Sequence, residues 1–112
     1  MDNFFKLDPE HIGQIAQVLK SLGHPQRLRI FEVLAEGERN VSQIQAQVDL
    51  PQAVVSQHLR IMRNGGVIRC RREGTFSLYQ LSQKGLYNLL ECLRRCQSSC
   101  KSPGDVEALP KK

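Results

Sequence analysis

The amino-acid sequence predicts a mainly α-helical domain that carries one β-hairpin, with the element order α-α-α-α-β-β-α. Apolar residues recur at helical spacing in four segments before Asn64 and in one segment after Ser82. The third and fourth segments are separated only by residues 49–51, a link as short as that of a helix-turn-helix. Two segments of alternating residues then flank Glu73-Gly74. These observations predict a winged helix-turn-helix with an additional helix at each end, in which the hairpin is the wing.

The first two helices are predicted from the residues at their ends. Asp8-Pro9 places a capping residue before a proline at the first helical position, and Gly23 ends this helix. Pro25 begins the second helix and Gly37 ends it. The second helix is apolar nearly all round, so we expect it to form the buried centre of the core. Its apolar residues are Leu28, Ile30, Phe31, Val33, Leu34 and Ala35.

The third and fourth helices form the predicted helix-turn-helix. Asn40 and Gln43 have the spacing of a capping box at the start of the third helix. The fourth helix extends from about Gln52 to Arg63, and its apolar side includes His58, which we expect to be packed. The opposite side is small and polar at its start and cationic toward its end. It consists of Gln52, Ala53, Ser56, Gln57, Arg60 and Arg63.

The hairpin and the last helix complete the pattern. Asn64-Gly65-Gly66 ends the fourth helix, and the strands are predicted from Val67 to Arg72 and from Thr75 to Leu81. Glu73-Gly74 is the predicted two-residue turn, because glycine supplies the positive φ that such a turn needs. Ser82 is predicted to cap the last helix.

Length and composition indicate one small domain. With 112 residues, we expect a single winged-helix domain over residues 1–100 and a disordered tail over residues 101–112. The first residues carry acids and lack a long apolar run, which predicts neither a signal peptide nor a membrane segment, and hence a cytoplasmic location. We find no paired carboxylates, phosphate-cradling glycine loop or nucleophile–base set, so we do not expect an enzyme.

Positive charge is concentrated between Gln52 and Arg72. This run contains five arginines and no Asp or Glu, and the net charge of the chain is +5. Lys and Arg gathered on one surface bind phosphate, so we predict double-stranded DNA as a partner. We expect bases to be read by Gln52, Ala53, Ser56 and Gln57, and phosphates to be held by Arg60, Arg63, Arg69, Arg71 and Arg72.

The first and last helices carry apolar stripes that are not needed to form the central core. These stripes consist of Ile12, Ile15, Leu19, Leu86, Leu89, Leu90 and Leu93. Pairing of both stripes across a two-fold axis predicts a homodimer. Such a dimer places its two recognition helices about one DNA turn apart, so residues 1–100 would serve both DNA binding and dimerisation.

Three motifs within residues 16–82 carry a family resemblance. They are L-x-x-L-G-x-P-x-R-L-x-I, V-S-Q-H-L and G-V-I-x-x-R-R-E-G-x-x-x-x-Y-x-L. Together they resemble the arsenic-repressor (ArsR/SmtB) family. The resemblance implies a homodimeric bacterial repressor, which binds an inverted repeat in operator DNA and releases it when an inducer, often a metal ion or metalloid, binds.

The chain departs from two inducer sites of this family. Many members have a Cys-x-Cys motif at the start of the third helix, whereas residues 39–43 hold no thiol. Other members bind zinc through Asp, His and Glu on the last helix, whereas that helix here has no His and only Glu91 as an acid. The resemblance therefore implies a repressor that lacks both of these sites.

The last helix carries thiols instead, at Cys92, Cys96 and Cys100. Their spacing of four and four places them on one helical stripe, where they suit trivalent arsenic or antimony, or another thiophilic species. No obligatory cofactor is expected. The alternatives are a redox or persulfide switch, or thiols that pack in the dimer seam with Cys100 in a tail. Cys70 alternates with arginines and is predicted to point into the core.

Two other functions fit parts of the pattern. One is a repressor without a small-molecule inducer, and the other is a winged helix used only for protein–protein contact. The basic run without acids argues against the second. His11 and His24 have no partner at ligand spacing, so we interpret both as structural. Our first hypothesis is a DNA-binding repressor that a thiol-binding inducer releases.

Overall fold

The computed structural model describes residues 8–83 and 85–99, and it confirms the winged helix-turn-helix. The tail predicted at residues 101–112 lies outside the described residues. The element order is as predicted except for one short strand, β1. In chain order the elements are α1 (Ile12–Ser21), α2 (Pro25–Ala35), β1 (Arg39–Asn40), α3 (Val41–Val48), α4 (Gln52–Asn64), β2 (Ile68–Glu73), β3 (Phe76–Leu81) and α5 (Gly85–Ser99).

The three strands form an antiparallel sheet in the order β1-β3-β2. Strand β1 has only two residues, and it forms because Arg39 and Asn40 pair with Tyr79 and Leu78 of β3. Two residues are too few to show the alternation by which a strand is found in a sequence. The pairing brings the end of the loop after α2 to the base of the wing.

The turn of the wing lies one residue later than predicted. Glu73 pairs with Phe76, so the loop residues are Gly74 and Thr75 rather than Glu73 and Gly74. Gly74 has a φ of +63°, a left-handed conformation that glycine adopts easily because it has no Cβ. The glycine was therefore placed correctly in the turn, but at its first loop position instead of its second.

Helix α1 was predicted to begin at Pro9, but it begins at Ile12. Asp8 stabilises a turn that precedes the helix. Its Oδ1 accepts a hydrogen bond from the Glu10 N–H at 3.1 Å, and its carbonyl oxygen accepts one from the His11 N–H at 2.9 Å. Asp and Pro favour turns as well as helix starts, and here the turn comes first.

The prediction that Ser82 caps α5 is wrong. The Ser82 hydroxyl donates to the Gly66 carbonyl oxygen at 2.6 Å, and its N–H donates to the Val67 carbonyl oxygen at 2.9 Å. Both bonds join the end of β3 to the segment that leads into β2. Because α5 begins three residues later, at Gly85, Ser82 is not in the capping position directly before the helix.

The start of α3 is as predicted. Asn40 Oδ1 accepts a hydrogen bond from the Gln43 N–H at 2.9 Å, and Gln43 Oε1 accepts one from the Asn40 N–H at 2.8 Å. This reciprocal capping box satisfies two donors at the helix start. Asp49 ends the helix with a φ of +57°, and this left-handed residue turns the chain toward α4.

Helix α2 contributes four buried residues to the core, as expected for its apolar composition. Leu28 is the exception, because 39% of it is exposed. Leu90 of α5 was predicted at a dimer interface, but it is only 6% exposed and belongs to the core of the protomer. The core consists of Leu22, Ile30, Phe31, Val33, Leu34, Ile44, Val55, Leu59, Met62, Val67, Ile68 and Leu90. None of the described helices is long and apolar enough to span a bilayer.

Helix α1 contacts the end of α4 at Gly65. A Cβ at this position would lie 1.6 Å from Ser21 Oγ and 2.7 Å from Ser21 Cβ. Ser21 is buried, and its hydroxyl donates to the Gln17 carbonyl oxygen at 2.9 Å. Because carbon atoms in ordinary contact are about 3.5–4.0 Å apart, only glycine fits without movement of α1.

Candidate nucleic-acid interface

Helix α4 presents one exposed polar face, which is the side that the sequence predicted for DNA contact. Its buried side holds Val55, His58, Leu59 and Met62, which attach the helix to the core. The exposed face consists of Gln52, Ala53, Ser56, Gln57, Arg60 and Arg63. These six side chains share one surface, with the polar ones at the start of the helix, where groove-reading helices contact bases. Their contact with DNA stays a prediction.

His58 is a packed residue, as predicted, and its hydrogen bonds determine which ring nitrogen carries the proton. Its Nδ1 lies 3.4 Å from a guanidinium nitrogen of Arg27, and its Nε2 lies 2.9 Å from Gln26 Oε1. A guanidinium can only donate, so Nδ1 accepts and Nε2–H donates to the amide oxygen. Burial, together with the nearby His24 and Arg27, lowers the pKa of His58 below its usual 6.5. The imidazole is therefore neutral at neutral pH.

The same contacts connect three helices behind the exposed face of α4. Arg27 Nε donates to the Ser21 carbonyl oxygen at the end of α1, at 2.6 Å. His24 accepts a hydrogen bond from the Gln26 N–H, and its ring centroid lies 4.8 Å from that of His58. The end of α1, the start of α2 and the middle of α4 are thus joined by polar contacts. Both histidines were interpreted as structural from the sequence, but their contact was not predicted.

The arginines of the wing do not all share one surface with α4. Side chains alternate along a strand, so Cys70 and Arg72 lie on one side of the sheet and Arg69 and Arg71 on the other. Tyr79 pairs with Cys70 and lines a cleft together with Arg60 and Arg63 of α4. Arg72 is therefore on the side of the sheet that faces α4, whereas Arg69 and Arg71 are on the opposite side.

Arg71 has a partner inside the protein that the sequence did not predict. Its Nε and a terminal nitrogen donate to the two carboxylate oxygens of Glu38 at 2.8 and 3.0 Å, and Glu73 lies 3.5 Å away. The hydrogen bond lowers the pKa of Glu38 and raises that of Arg71. Glu38 comes just before β1, the strand missed in the sequence. Arg71 thus has an acidic partner within the protein, and its contact with phosphate stays a prediction.

Two of the three predicted ligand thiols lie on the surface of α5. Cys92 and Cys96 are both exposed, and Cys100 lies outside the described residues. Within the described part of the chain, no group of three or more His, Cys, Asp or Glu residues could hold a metal ion. Cys70 is half-buried beside Tyr79, which agrees with its predicted inward orientation.

The remaining predicted dimer residues form an apolar surface on the end helices. Ile12 and Leu19 of α1 are 50% and 54% exposed, and Leu93 of α5 is 40% exposed. Ile15, Leu86 and Leu89 are half-buried and line a groove of about 410 Å³ that α1 and α5 form with the end of α4. Apart from Leu90, these residues are accessible to a partner.

Comparisons with known proteins identify the family to which this fold and surface belong. Residues 24–69 match the family model described as bacterial regulatory protein, arsR family. The chain is also 36% identical over 80 residues to the biofilm growth-associated repressor of Agrobacterium fabrum, an alignment that covers 71% of this chain and 68% of that protein. The chain belongs to the ArsR family. The resemblance drawn from the sequence motifs is thereby confirmed.

Two solved structures support the fold of this ArsR-family chain. The homodimeric winged helix-turn-helix DNA-binding domain of a Mycobacterium bovis protein is similar with a TM-score of 0.73 at 26% identity, covering 85% of this chain and 91% of that one. Reduced HlyU from Vibrio cholerae is similar with a TM-score of 0.69 at 28% identity, covering 78% and 92%. Both agree with the winged helix-turn-helix described above.

Proposed function

We propose that this ArsR-family protein is a homodimeric transcriptional repressor that binds an inverted repeat in operator DNA. The observation that carries the proposal is the exposed face of α4, polar in its first half and cationic in its second. This helix follows the turn of the helix-turn-helix, the position from which such folds enter the major groove. Among the similar proteins, one is named a repressor and another is a homodimeric DNA-binding domain.

Dimerisation through α1 and α5 would supply the symmetry that an inverted repeat requires. Ile12, Leu19 and Leu93 are exposed to solvent, and the groove between α1 and α5 adds to their apolar surface. An exposed apolar patch of this kind marks a site of protein–protein contact. A two-fold axis at this surface would place two α4 helices on successive major grooves, about 34 Å apart along the DNA. The polar contacts behind α4 would then hold each recognition helix at a defined position.

Release of the operator is proposed to depend on the thiols of α5. Cys92 and Cys96 are exposed and separated by one helical turn, so their sulfurs can approach a shared ligand from solvent. Soft thiolates prefer thiophilic ions, and trivalent arsenic or antimony takes three of them, with Cys100 as the third. Ligand binding on a helix that also lines the dimer surface would favour a dimer geometry with poorer fit to DNA.

A redox or persulfide switch at the same thiols is the second candidate. It needs only two accessible thiols, and Cys92 and Cys96 are both exposed. The two candidates differ in what releases DNA, so one titration separates them.

Fluorescence anisotropy with DNA from the protein's own promoter tests the proposal. The labelled duplex is titrated with protein and then with arsenite, antimonite or tetrasulfide under controlled redox conditions. Release by arsenite or antimonite in excess reductant supports the metalloid candidate, and release by tetrasulfide or oxidant alone supports the switch. A protein that binds this DNA no more tightly than unrelated duplex contradicts the proposed operator function itself.

Single substitutions assign the effect to particular thiols. Cys92→Ala and Cys96→Ala should keep operator affinity and lose release, and Cys100→Ala should lose release by metalloid but keep release by oxidation. Cys70→Ala is the matched control, because this half-buried thiol lies in the sheet and not on α5. Unchanged release in all three α5 variants would contradict a role for these thiols.

A further inference from the structure

A polar cleft separates the second half of α4 from the sheet of the wing. It has a volume of about 400 Å³ and is lined by Ser56, Leu59, Arg60, Arg63, Asn64 and Tyr79. All of these residues except Leu59 carry a polar group, and no acid is among them. Ser56, Arg60 and Arg63 also belong to the exposed face of α4, so the cleft is continuous with the surface proposed to contact DNA.

Within the part of the chain that the structure describes, no acid lines this cleft to balance its charge. Among the described residues, neither Arg60 nor Arg63 forms a hydrogen bond or an ion pair, whereas Arg39, Arg71 and Arg94 all pair with acids. The carbonyl end of α4 adds about half a negative charge nearby, which disfavours an anion. Two guanidiniums outweigh that partial charge, so the cleft as a whole attracts an anion.

Tyr79 supplies a neutral donor at the wall of the cleft. Burial, and then the neighbouring Cys70, raises the pKa of the Tyr79 phenol, although the nearby Arg63 opposes the rise. The phenol therefore keeps its proton at neutral pH. The phenolic O–H is then available to donate to a bound anion.

Resting on the proposed operator binding, we propose that this cleft holds one DNA backbone phosphate and that Tyr79 and Asn64 donate hydrogen bonds to it beside Arg60 and Arg63. Neither Tyr79 nor Asn64 belongs to the residues predicted from the sequence to contact DNA. A phosphate fits the site because it is anionic, offers several acceptor oxygens, and lies beside the groove that α4 enters. The wing and the recognition helix would thus contact the same phosphate.

Tyr79→Phe tests this assignment, because it keeps the ring in the sheet and removes only the hydroxyl. A hydrogen bond to a charged partner contributes about tenfold to affinity, and the dimer makes one such bond in each half-site, so the variant should bind the operator about a hundredfold more weakly. The salt dependence of its affinity should not change, since no charge is removed. Tyr87→Phe is the matched control, because this exposed tyrosine lies on α5, away from the cleft.

Neutralising single DNA phosphates identifies the contact directly. Methylphosphonates are placed one at a time along the operator, and affinities are measured for the wild type, Tyr79→Phe and Asn64→Ala. The proposal expects one phosphate per half-site whose neutralisation weakens the wild type but has a much smaller effect in Tyr79→Phe. Equal effects of neutralisation at every position would overturn the proposal. It would also be overturned if inorganic phosphate, at constant ionic strength, weakened DNA binding while no single DNA phosphate showed a different effect in Tyr79→Phe and in the wild type.

Two further outcomes separate this inference from the proposed function. If the wild type binds its operator and Asn64→Ala and Tyr79→Phe bind equally well, the phosphate site is wrong and operator binding stands. If the wild type shows no preference for its promoter DNA, operator binding fails and the phosphate site fails with it. Should Tyr79→Phe not fold, as judged by circular dichroism, the coupling measured with Asn64→Ala decides the question.

Discussion

Replacing Gly65 with alanine is expected to push α1 away from the end of α4 and to destabilise the fold. The added Cβ would lie 1.6 Å from Ser21 Oγ and 2.7 Å from Ser21 Cβ. Rotation of the Ser21 hydroxyl relieves the first clash but breaks its hydrogen bond to the Gln17 carbonyl oxygen. The second clash remains for every rotamer, so the backbones must separate. The φ of Gly65 is −83°, outside the left-handed region that favours glycine, so the effect is mainly steric.

The magnitude follows from two opposing contributions. Inserting a methyl group into a well-packed contact typically costs about 1–3 kcal/mol. Replacing glycine by alanine restricts the unfolded chain and returns about 0.4–1 kcal/mol. We therefore expect a net loss of roughly 1–2 kcal/mol in the free energy of unfolding, which for a domain of about 100 residues lowers Tm by about 4–16 °C. Urea unfolding followed by circular dichroism, at one fixed protomer concentration, measures it.

A double-mutant cycle shows whether Ser21 is the obstacle. Ser21→Gly removes the two Ser21 atoms and leaves only the Ile61 carbonyl oxygen, 3.3 Å from the new Cβ, so Gly65→Ala should be far less harmful in that background. We expect a coupling of at least about 1 kcal/mol between the two positions. Gly13→Ala is the control, because a Cβ there meets no atom within 4 Å, and it should stabilise the helix by about 0.5–1 kcal/mol. Additive effects of Gly65→Ala and Ser21→Gly would refute the packing argument.

Three further predictions follow from the contacts around α4. Arg63→Ala should reduce the slope of log affinity against log salt by about 0.9 per phosphate lost, whereas Arg71→Ala should leave the slope unchanged because Glu38 already holds that guanidinium. Equal reductions would show that Arg71 contacts phosphate as well. The pKa of His58 is lowered from 6.5, so the unfolded chain binds the proton more readily, and the stability that this group supports should be lost as pH falls below about 6.5. Urea midpoints measured from pH 7.5 to 5.5 should therefore depend less on pH in His58→Gln than in the wild type, and identical slopes would argue against it. Asn40→Ala removes the capping box of α3 and should destabilise the protein by about 1 kcal/mol in thermal unfolding, whereas Asn40→Asp should largely keep the stability; a loss as large in Asn40→Asp would count against the cap.

Local patterns in the sequence predicted most of the helices and the recognition face. The fourth helix was assigned from the alternation of apolar and polar sides, and the structure gives it as Gln52–Asn64 with that polarity. The capping box of Asn40 and Gln43 was found because both partners lie within one turn. These features depend on neighbours a few residues apart, which a sequence displays directly.

Contacts between distant residues were the part that the sequence did not predict. Strand β1 exists through its pairing with β3, and Glu38 meets Arg71 across that pairing, 33 residues along the chain. The wing arginines were grouped by their proximity in sequence, although alternation already placed Arg72 with Cys70 and apart from Arg71. Because side chains alternate along a strand, Arg69 and Arg71 belong to one side of the wing and Arg72 to the other, which the sequence alone could show. The Ser82 hydroxyl donates to the Gly66 carbonyl oxygen, a partner 16 residues away that no local pattern displays.

Hydroxyl-radical footprinting on the protein's own promoter tests the central claim most directly. A homodimer that places two α4 helices in successive major grooves should protect two patches related by an inverted repeat, with centres about 10 base pairs apart. Arg60→Ala combined with Arg63→Ala should weaken both patches equally, since each protomer contributes the same face. A single patch, two patches in direct repeat, or no protection at concentrations where the dimer forms would contradict the account.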